Sequence, residues 1–257
     1  MTSPTPFAAT DRLDGKVAVI AGGTGAIGHA TALRLAARGA RCVLLHNGDA
    51  AAAEAKLREL PGDGHGQVAA SITDSASLRA AAEQVRAQYG RCDILVNSAG
   101  YTKPVPAADL EGLTDQLIDD LLRVNFRGVF ATIRAFAPLL KESGDGLVVS
   151  LSSIAAFTGV GSNLAYVAAK AGLDVVGEAL ARVLAPQVRV LSVSPGVVES
   201  GFVPGRGADF NSKTAATTPL GRIGLPDDIA AAVEACATTL RFATGTRIVV
   251  DGGRHLK

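Results

Sequence analysis

Tyr166 and Lys170 are the two residues of this sequence whose types and spacing most clearly suggest chemistry. They stand four residues apart in a run that is predicted to be helical, so both side chains project from one face of the helix. A nearby ammonium group favours phenolate, and we expect it to lower the pKa of Tyr166 from its ordinary value of about 10. A tyrosine tuned in this way can pass a proton to or from a substrate oxygen near neutral pH.

Ser153 is a third residue that could join this pair. It closely follows the apolar run 147–151 and precedes the predicted Tyr166 helix. A strand end, a loop and a helix could together bring its hydroxyl beside the phenol. Because a Tyr-x-x-x-Lys pair often arises by chance, its weight comes from the motifs that accompany it.

A glycine-rich turn near the N-terminus predicts a phosphate-binding loop. Residues 22–28 read Gly-Gly-Thr-Gly-Ala-Ile-Gly and lie between a predicted strand, 16–21, and a predicted helix, 29–38. Glycines let backbone amides approach a pyrophosphate closely, and the helix dipole favours the negative charge. A position between strand and helix is the context that a dinucleotide-binding turn requires, although a simple tight turn stays an alternative.

Strands alternate with helices along the whole chain. Apolar runs predict the strands, and apolar residues at helical spacing predict the helices. The predicted strands are 16–21, 41–46, 67–72, 93–96, 147–151, 188–193 and 246–250. The predicted helices are 29–38, 51–60, 75–89, 114–140, the Tyr166 helix (capped by Ser162 or Asn163) and 227–240. This alternation predicts an α/β fold, a doubly wound parallel sheet with helices on both faces.

One domain accounts for the chain apart from its start. Residues 1–14 contain prolines and predict a flexible N-terminal tail, and we expect residues 15–257 to form a single domain. Within it, residues 200–218 contain several glycines and two phenylalanines, which is typical of a mobile loop over a substrate.

Composition and charge exclude several classes of protein. The 257 residues are 48% hydrophobic and 19% charged, which favours a packed globule over disorder. A net charge of +1 without a basic block argues against nucleic acid or a membrane as partner. Cys42, Cys92 and Cys236 are far apart and the histidines lack metal-ligand spacing, so we expect neither a disulfide nor a metal site. The N-terminus does not read as a signal peptide, and we expect a soluble cytoplasmic protein.

Several short motifs occur in an order that is typical of one family. They are Gly22-x-x-x-Ala26-Ile27-Gly28, Asn97-Ser98-Ala99-Gly100, Asn125, Ser153, Tyr166-x-x-x-Lys170 and Pro195-Gly196. Over residues 12–254 the sequence resembles the classical short-chain dehydrogenase/reductase family, most closely its 3-oxoacyl-(acyl-carrier-protein) reductase branch. The resemblance implies a Rossmann fold and hydride transfer between a nicotinamide cofactor and a ketone or secondary alcohol.

The resemblance also implies roles for four residues. Tyr166 would be the general acid/base, Lys170 would lower its pKa and bind the nicotinamide ribose, and Ser153 would polarise the carbonyl. Asn125 would hold the water that leads protons from Lys170 to solvent. These residue types suit the reaction, because hydride arriving at a carbonyl carbon leaves an alkoxide that Tyr166 can protonate and Ser153 can hydrogen-bond.

The family pattern further implies a set of cofactor-binding positions along the carboxyl ends of the strands. These are Gly22, Thr24, Gly25, Ala26, Ile27, Gly28, His46, Asn47, Ser71, Ile72, Asn97, Ala99, Gly100, Tyr166, Lys170, Pro195, Gly196, Val198 and Ser200. The sequence departs from the usual residues at Ala26, Ser71, Ser98 and Leu191, and these departures could weaken cofactor affinity.

The end of the second strand bears on the choice of cofactor. An acidic residue there would bind both ribose hydroxyls and repel a 2′-phosphate. The sequence has His46 and Asn47 instead, so we favour NADP(H). Because no arginine stands there either, NAD(H) stays possible.

The resemblance places five mostly apolar residues around the substrate: Ile154, Leu164, Val197, Phe202 and Phe210. They favour a neutral ketone, a secondary alcohol or the apolar part of an acyl chain. Two alternatives stay open, an NAD-dependent alcohol dehydrogenase of the same family and a non-enzymic dinucleotide-binding regulator. Family resemblance also implies a homotetramer built on the helices of Asn125 and Tyr166 and on the C-terminal strand.

Overall fold

Seven parallel strands form one sheet in the computed structural model, which describes residues 11–205 and 207–256. The strands are β1 (Val17–Ala21), β2 (Arg41–His46), β3 (Gly66–Ala69), β4 (Ile94–Asn97), β5 (Gly146–Leu151), β6 (Val188–Pro195) and β7 (Thr246–Val250). Their order across the sheet is β3-β2-β1-β4-β5-β6-β7, and every neighbouring pair is parallel. The predicted doubly wound sheet is confirmed.

Helices cover both faces of this sheet. They are α1 (Ala26–Ala37), α2 (Ala50–Leu57), α3 (Ser75–Tyr89), α4 (Asp115–Leu122), α5 (Val129–Glu142), α6 (Ala155–Thr158), α7 (Leu164–Leu184), α8 (Phe210–Ala216) and α9 (Pro226–Ala237). A π-helical segment, Arg123–Gly128, joins α4 to α5, and a 3₁₀ helix covers Arg254–Leu256. One core layer packs α3, α5 and α7 on the sheet, and the other packs α1 and α9.

The central strands are apolar throughout because both of their faces are covered. All five residues of β1 and all six of β5 are buried. In contrast, β7 lies at the edge of the sheet and is partly exposed along its length. The core therefore sits on either side of β1, β4, β5 and β6, whose carboxyl ends are held in fixed relative positions.

Strands β1 and β4 are neighbours in the sheet but distant in sequence, and the chain leaves them towards opposite edges of the sheet. From β1 the chain continues to β2 and β3 on one side, and from β4 to β5, β6 and β7 on the other. Connections of opposite direction leave a crevice at the carboxyl ends of these two strands, which is where doubly wound sheets bind ligands.

Several predicted boundaries differ from the structure. The strand predicted at 67–72 ends at Ala69, and the helix predicted at 29–38 begins at Ala26, within the glycine turn. The helix predicted over 114–140 is interrupted by the π-helical segment. The prediction missed it because the apolar spacing of the sequence does not show the extra residue in the wider turn of a π-helix. The loop predicted at 200–218 contains α8.

Leu13 packs against the end of α1, although it precedes the predicted domain. Residues 1–10 of the predicted tail lie outside the described residues. Leu13, which the tail prediction includes, is buried, and its N–H donates to Arg38 O at 2.8 Å. Among residues 11–205 and 207–256, no cluster of His, Cys, Asp and Glu is arranged to hold a metal ion. Nor does any helix of that part of the chain have the length and apolar character needed to cross a bilayer.

Candidate active site

The glycine turn lies in the crevice between β1 and β4 and packs against the segment that follows β4. Gly22 has φ +76°, and a Cβ there would stand 2.7 Å from Ala99 N. A Cβ on Gly28 would stand 2.2 Å from Gly22 O, so the turn closes on the first turn of α1. Both positions require glycine, because a side chain would collide with backbone atoms. The turn therefore brings two predicted cofactor motifs together.

The N-terminus of α1 opens beside this turn. Its N-cap residue, Gly25, offers no side chain to the free N–H groups of the first turn, and no acidic residue lies in that turn. Gly25 and Ala26 are exposed, whereas Thr24 and Ile27 are half-buried. Free amides and the positive end of a helix dipole fit an anionic group such as a pyrophosphate.

Asn97, at the end of β4, leaves a polar atom free in the same crevice. Its Nδ2 donates to Ser150 Oγ at 3.2 Å, whereas Oδ1 is buried without a hydrogen-bond partner among the described residues. Ser98 N donates to Ala21 O, which fixes the segment against β1. A buried oxygen without a partner costs free energy unless a donor reaches it, so Asn97 Oδ1 fits a ligand hydroxyl.

His46 is buried at the end of β2, and its hydrogen bonding defines its tautomer. Its Nδ1 accepts from Gly48 N at 3.3 Å, so the neutral ring carries its proton on Nε2. Asn47 is exposed beside it. Asp49, the nearest carboxylate in sequence, accepts from Ala52 N and caps α2. The end of β2 therefore presents donors rather than a free carboxylate.

Ser71 and Ile72 lie between β3 and α3, facing the π-helical segment. The Ser71 and Thr73 hydroxyls are 2.9 Å apart, and Ser71 N donates to Ser77 Oγ. Ile72 O lies 3.1 Å from the place that a Cβ on Gly128 would take. These contacts tie the end of β3 to the segment that carries Asn125.

Asn125 is fully buried in the π-helical segment, where it clamps the backbone that follows β4. Its Oδ1 accepts from Tyr101 N at 3.1 Å, and its Nδ2 donates to Tyr101 O at 2.8 Å and Leu121 O at 3.0 Å. The wider π turn exposes carbonyls that an α-helix would use internally. Asn125 thereby fixes Tyr101, a residue that sequence reasoning did not select although it directly follows the Asn97–Gly100 motif.

Helix α7 presents Tyr166 and Lys170, and Asn163 sets where it begins. Asn163 Oδ1 accepts from Tyr166 N at 2.7 Å, which makes Asn163 rather than Ser162 the N-cap. Its Nδ2 donates to Lys103 O at 2.8 Å, so the same side chain holds the loop after β4. This double role was not predicted from the sequence.

Lys170 is buried beneath Tyr166. Its Nζ donates to Leu151 O, the last carbonyl of β5, at 2.6 Å. The same nitrogen lies 5.7 Å from the centroid of the Tyr166 ring. The predicted pair on one helix face is therefore present, with the ammonium group anchored to a strand end.

Ser153 reaches the phenol from the loop that follows β5. Its hydroxyl lies near the phenol of Tyr166, whose pKa it lowers, and accepts from Ala155 N at 3.1 Å. The next residue, Ile154, donates its N–H to Pro195 O at 3.0 Å, which ties this loop to the end of β6. The structure thus brings together three of the four residues predicted to be catalytic, and Asn125 clamps the neighbouring loop.

The pKa of Tyr166 differs from the sequence prediction. Burial raises the pKa of the phenol to about 12, and the hydrogen bond from Ser153 opposes this rise. Burial also lowers the pKa of Lys170 to about 8, opposed by the Asp174 carboxylate. The predicted lowering of the tyrosine pKa is wrong for this arrangement, because loss of hydration outweighs the favourable contacts of the phenolate.

One of the predicted substrate residues, Phe202, lies beside the ring of Tyr166. The Phe202 ring lies 6.0 Å from the Tyr166 ring, and its Cε2 is 3.3 Å from the place of a Cβ on Gly100. Leu164 and Phe202 are each about two-fifths exposed, at 40% and 39%. The remaining predicted substrate residues, Ile154, Val197 and Phe210, are half-buried.

The segment after β6 completes the site. Gly196 N donates to Val250 O, and a Cβ on Gly196 would meet the Asp251 side chain at 2.7 Å. Val198 is buried and pairs with Gly224 in an isolated parallel bridge, and Ser200 Oγ accepts from Phe202 N at 3.4 Å. These contacts hold Pro195–Ser200 against the carboxyl end of β7 and against Gly224.

Comparisons with known proteins agree with this geometry. A family model described as Enoyl-(Acyl carrier protein) reductase matches residues 22–255. A D-threitol dehydrogenase of Mycolicibacterium smegmatis is 38% identical over 254 residues, covering 96% of this chain and 95% of that protein. A 3-oxoacyl-(acyl-carrier-protein) reductase of Escherichia coli is 32% identical over 248 residues, covering 95% and 98%. Among solved structures, levodione reductase superposes with a TM-score of 0.89 at 26% identity, covering 95% and 99%.

Proposed function

The chain belongs to the short-chain dehydrogenase/reductase family, and from this membership we propose that it is an NADP(H)-dependent oxidoreductase with a Ser153–Tyr166–Lys170–Asn125 catalytic set. It interconverts a ketone and a secondary alcohol. The single observation that carries the proposal is that the Ser153 hydroxyl and the buried Lys170 both lie beside the phenol of Tyr166. The hydroxyls of Ser153 and Tyr166 can both donate a hydrogen bond to one carbonyl oxygen, and Tyr166 can then protonate it.

The reaction needs a hydride, which a bound nicotinamide cofactor supplies to the carbonyl carbon. As that bond forms, the π electrons of the carbonyl move onto oxygen. Ser153 donates a hydrogen bond to the developing alkoxide, and Tyr166 transfers its proton to it. Lys170 stabilises the phenolate that remains, and Asn125 keeps the neighbouring loop in register.

The pKa values favour reduction of the ketone. A phenol with a pKa of about 12 holds its proton throughout the neutral range, so Tyr166 is poised as an acid. Oxidation of an alcohol would need the phenolate first, which this environment disfavours. The protonated phenol therefore suits the role of acid that ketone reduction requires near neutral pH.

The donors at the end of β2 favour NADP(H). His46 carries its proton on Nε2 and Asn47 is exposed, so both can donate to a phosphate oxygen. The Asp49 carboxylate is occupied by the cap of α2. NAD(H) is the alternative, since no arginine lies at this end of β2 to pair with a 2′-phosphate.

Exposed apolar side chains at the candidate site favour a ketone with an apolar chain as substrate. Leu164 and Phe202, two of the predicted substrate residues, present exposed apolar surface, and the Phe202 ring lies beside the ring of Tyr166. A 3-oxoacyl thioester, the class named for the E. coli relative, places an acyl chain on such a surface. A polyol such as threitol, named for the other relative, would leave its hydroxyls without partners there.

We also propose that the protein is a cytoplasmic homotetramer. Val175 and Val183 on α7 are about two-thirds exposed, and Val249 faces outward from the edge strand β7. A second copy covering these surfaces would remove apolar area from water and pair the open strand edge. Multi-angle light scattering tests this, and a monomer at micromolar concentration would refute it.

The decisive experiment combines binding and turnover. Calorimetric titration with NADPH and NADH should give tighter binding of NADPH, and a panel of ketones that includes 3-oxoacyl thioesters should be reduced. Tyr166→Phe should abolish turnover and leave cofactor affinity within a few-fold, because only the transferable proton is removed. A Phe variant with full activity would disprove the mechanism. Binding of neither nucleotide would favour a non-enzymic role.

A further inference from the structure

Asp174 is a buried carboxylate that the proposed reaction does not use. It lies on α7 one helical turn after Lys170, so the two side chains share a face of the helix. Only 4% of its side chain is exposed, and neither carboxylate oxygen has a hydrogen-bond partner among residues 11–205 and 207–256. A buried carboxylate without hydrogen bonds costs free energy unless positive charge lies near it.

Two basic groups supply that charge. Arg247, on the edge strand β7, brings Nη1 to 3.6 Å from Asp174 Oδ2. This guanidinium is shared, since Nη2 lies 3.9 Å from Glu178 Oε1 and Cζ lies 5.2 Å from the centre of the Phe157 ring. The second basic group is Lys170, which Asp174 reaches through space. The carboxylate therefore lies near two positive groups, Arg247 and the lysine of the proposed catalytic set.

The Asp174 carboxylate affects the charge of Lys170. Its Nζ donates to Leu151 O, a neutral carbonyl, and burial favours its uncharged form. Asp174 is the charged group that opposes this effect of burial. A residue outside the proposed catalytic set thus supports the charge of the lysine that must stabilise a phenolate.

The other charged side chains on elements packed against α7 are engaged elsewhere or exposed, and α6 carries none. They are Arg189 of β6, which donates to carbonyls near the end of α9; Arg123 and Arg127 of the π-helical segment, bonded to Asp120 and to Thr73 O; and Asp115 and Asp119 of α4, exposed to solvent.

We propose that Asp174 is a positioning residue that keeps Lys170 charged in the active site. The positive charge of Arg247 opposes this effect of Asp174 on the lysine. The functional part of this inference rests on the proposed reaction, because Lys170 matters to turnover only if Tyr166 becomes phenolate. The electrostatic part concerns the protein alone and can be measured without cofactor or substrate.

The two variants that test the proposal act in opposite directions. Asp174→Asn removes the negative charge, so the ammonium loses its support and the pKa of Lys170 falls. Arg247→Gln removes a positive charge that opposes the effect of Asp174, so the pKa of Lys170 rises. A neighbouring opposite charge in a buried site shifts a pKa by about one unit or more, which sets the size expected for Asp174→Asn.

The experiment titrates Lys170 directly. Protein labelled with ¹³C at lysine Cε is followed by NMR from pH 6 to pH 11, and the Lys170 signal is assigned by its loss in Lys170→Arg. The unsubstituted protein should titrate near pH 8. Asp174→Asn should titrate about one unit lower and Arg247→Gln higher. Glu178→Gln, which removes a half-exposed carboxylate from the same arginine, is the matched control and should leave the midpoint unchanged.

A second readout separates this role from a structural one. With NADPH and an active ketone, the alkaline limb of kcat should move to lower pH in Asp174→Asn, while KM for the ketone stays within two-fold. Equal midpoints in all the folded variants, or a fall in both Asp174→Asn and Arg247→Gln, would overturn the proposal. Should Asp174→Asn fail to fold, the opposite arm, Arg247→Gln, still tests it. If no ketone is reduced, the proposed function fails, whereas the NMR midpoints still decide the electrostatic role.

Discussion

The hydroxyl of Ser153 has two effects at the residue scale, and both concern the oxygen of Tyr166. It lowers the pKa of the phenol against the effect of burial, and it can donate to the oxygen of a bound ketone. Its own orientation is set by Ala155 N, which donates to it. Loss of this one hydroxyl should therefore affect the chemical step more than binding.

Ser153→Ala should lower kcat on the order of 100-fold, the usual cost of removing one donor to a developing oxyanion. Cofactor affinity measured by calorimetry should not change, because Ser153 is not among the predicted cofactor contacts. Ser152→Ala is the neighbouring control, since the Ser152 hydroxyl faces Lys170 O rather than the phenol. Equal losses in the two variants would argue that the loop, not the hydroxyl, is what matters.

Lys170 should set the alkaline limit of reduction. Its pKa of about 8 is far below that of Tyr166, near 12, so on raising the pH the ammonium is lost while the phenol is still protonated. We expect kcat for ketone reduction to fall above about pH 8. In Lys170→Arg the guanidinium stays charged, so the remaining activity, although lower, should hold to higher pH. A limb that does not move in Lys170→Arg would assign it to another group.

At the scale of elements, the site depends on how α7 begins and on the irregular helix beside it. Asn163 joins the first turn of α7 to the loop after β4, and Asn125 joins the π-helical segment to the same loop. Two amide side chains thus position one loop from two helices. Each amide uses both its oxygen and its nitrogen, so neither can be replaced by a carboxylate without loss.

Asn163 allows the two contributions to be separated. Asn163→Ala should destabilise the protein by about 2 kcal/mol, since it loses the helix cap and leaves Lys103 O without its donor. Asn163→Asp keeps the acceptor for Tyr166 N and loses only the donor. Its loss of stability should be about half as large in urea unfolding followed by circular dichroism. Equal losses in Asn163→Asp and Asn163→Ala would mean that the cap contributes nothing.

At the scale of the whole molecule, the site lies where the two halves of the sheet meet. The turn after β1 and the segment after β4 touch backbone to backbone at Gly22 and Ala99. On the other side, the end of β6 closes over Ser153 through Ile154 and Pro195. The residues that we predict to bind cofactor and substrate therefore come from both halves of the sheet.

Gly22→Ala should disturb both stability and nucleotide binding. The new Cβ would meet Ala99 N at 2.7 Å, and φ +76° already strains a residue with a side chain. Gly144→Ala is the matched control, because Gly144 has φ +74° and open space around it. We expect about 1 kcal/mol for Gly144→Ala and at least twice that for Gly22→Ala. Only Gly22→Ala should weaken NADPH binding, and equal costs would show that the close approach to Ala99 does not matter.

Local sequence was enough to predict the parallel sheet and most of its strands, because a strand buried on both faces must be continuously apolar. It was also enough to select Ser153, Tyr166 and Lys170, because the i, i+4 rule for a helix and the position of a strand end depend on neighbouring residues alone. Boundaries near the site were less predictable. The end of β3 at Ala69 and the start of α1 at Ala26 depend on hydrogen bonds to other elements.

Only the tertiary structure decided the electrostatics of the site. Whether an ammonium lowers the pKa of a phenol depends on the hydration that both groups lose on burial, and burial is set by elements far apart in sequence. The same holds for the hydrogen bonds by which Asn125 and Asn163 hold the loop after β4. It also holds for the effect of Asp174 on Lys170, which Arg247 opposes from a distant part of the chain. Residue types and short-range spacing are properties of the sequence, whereas distances, burial and charge sharing arise only when distant segments pack together.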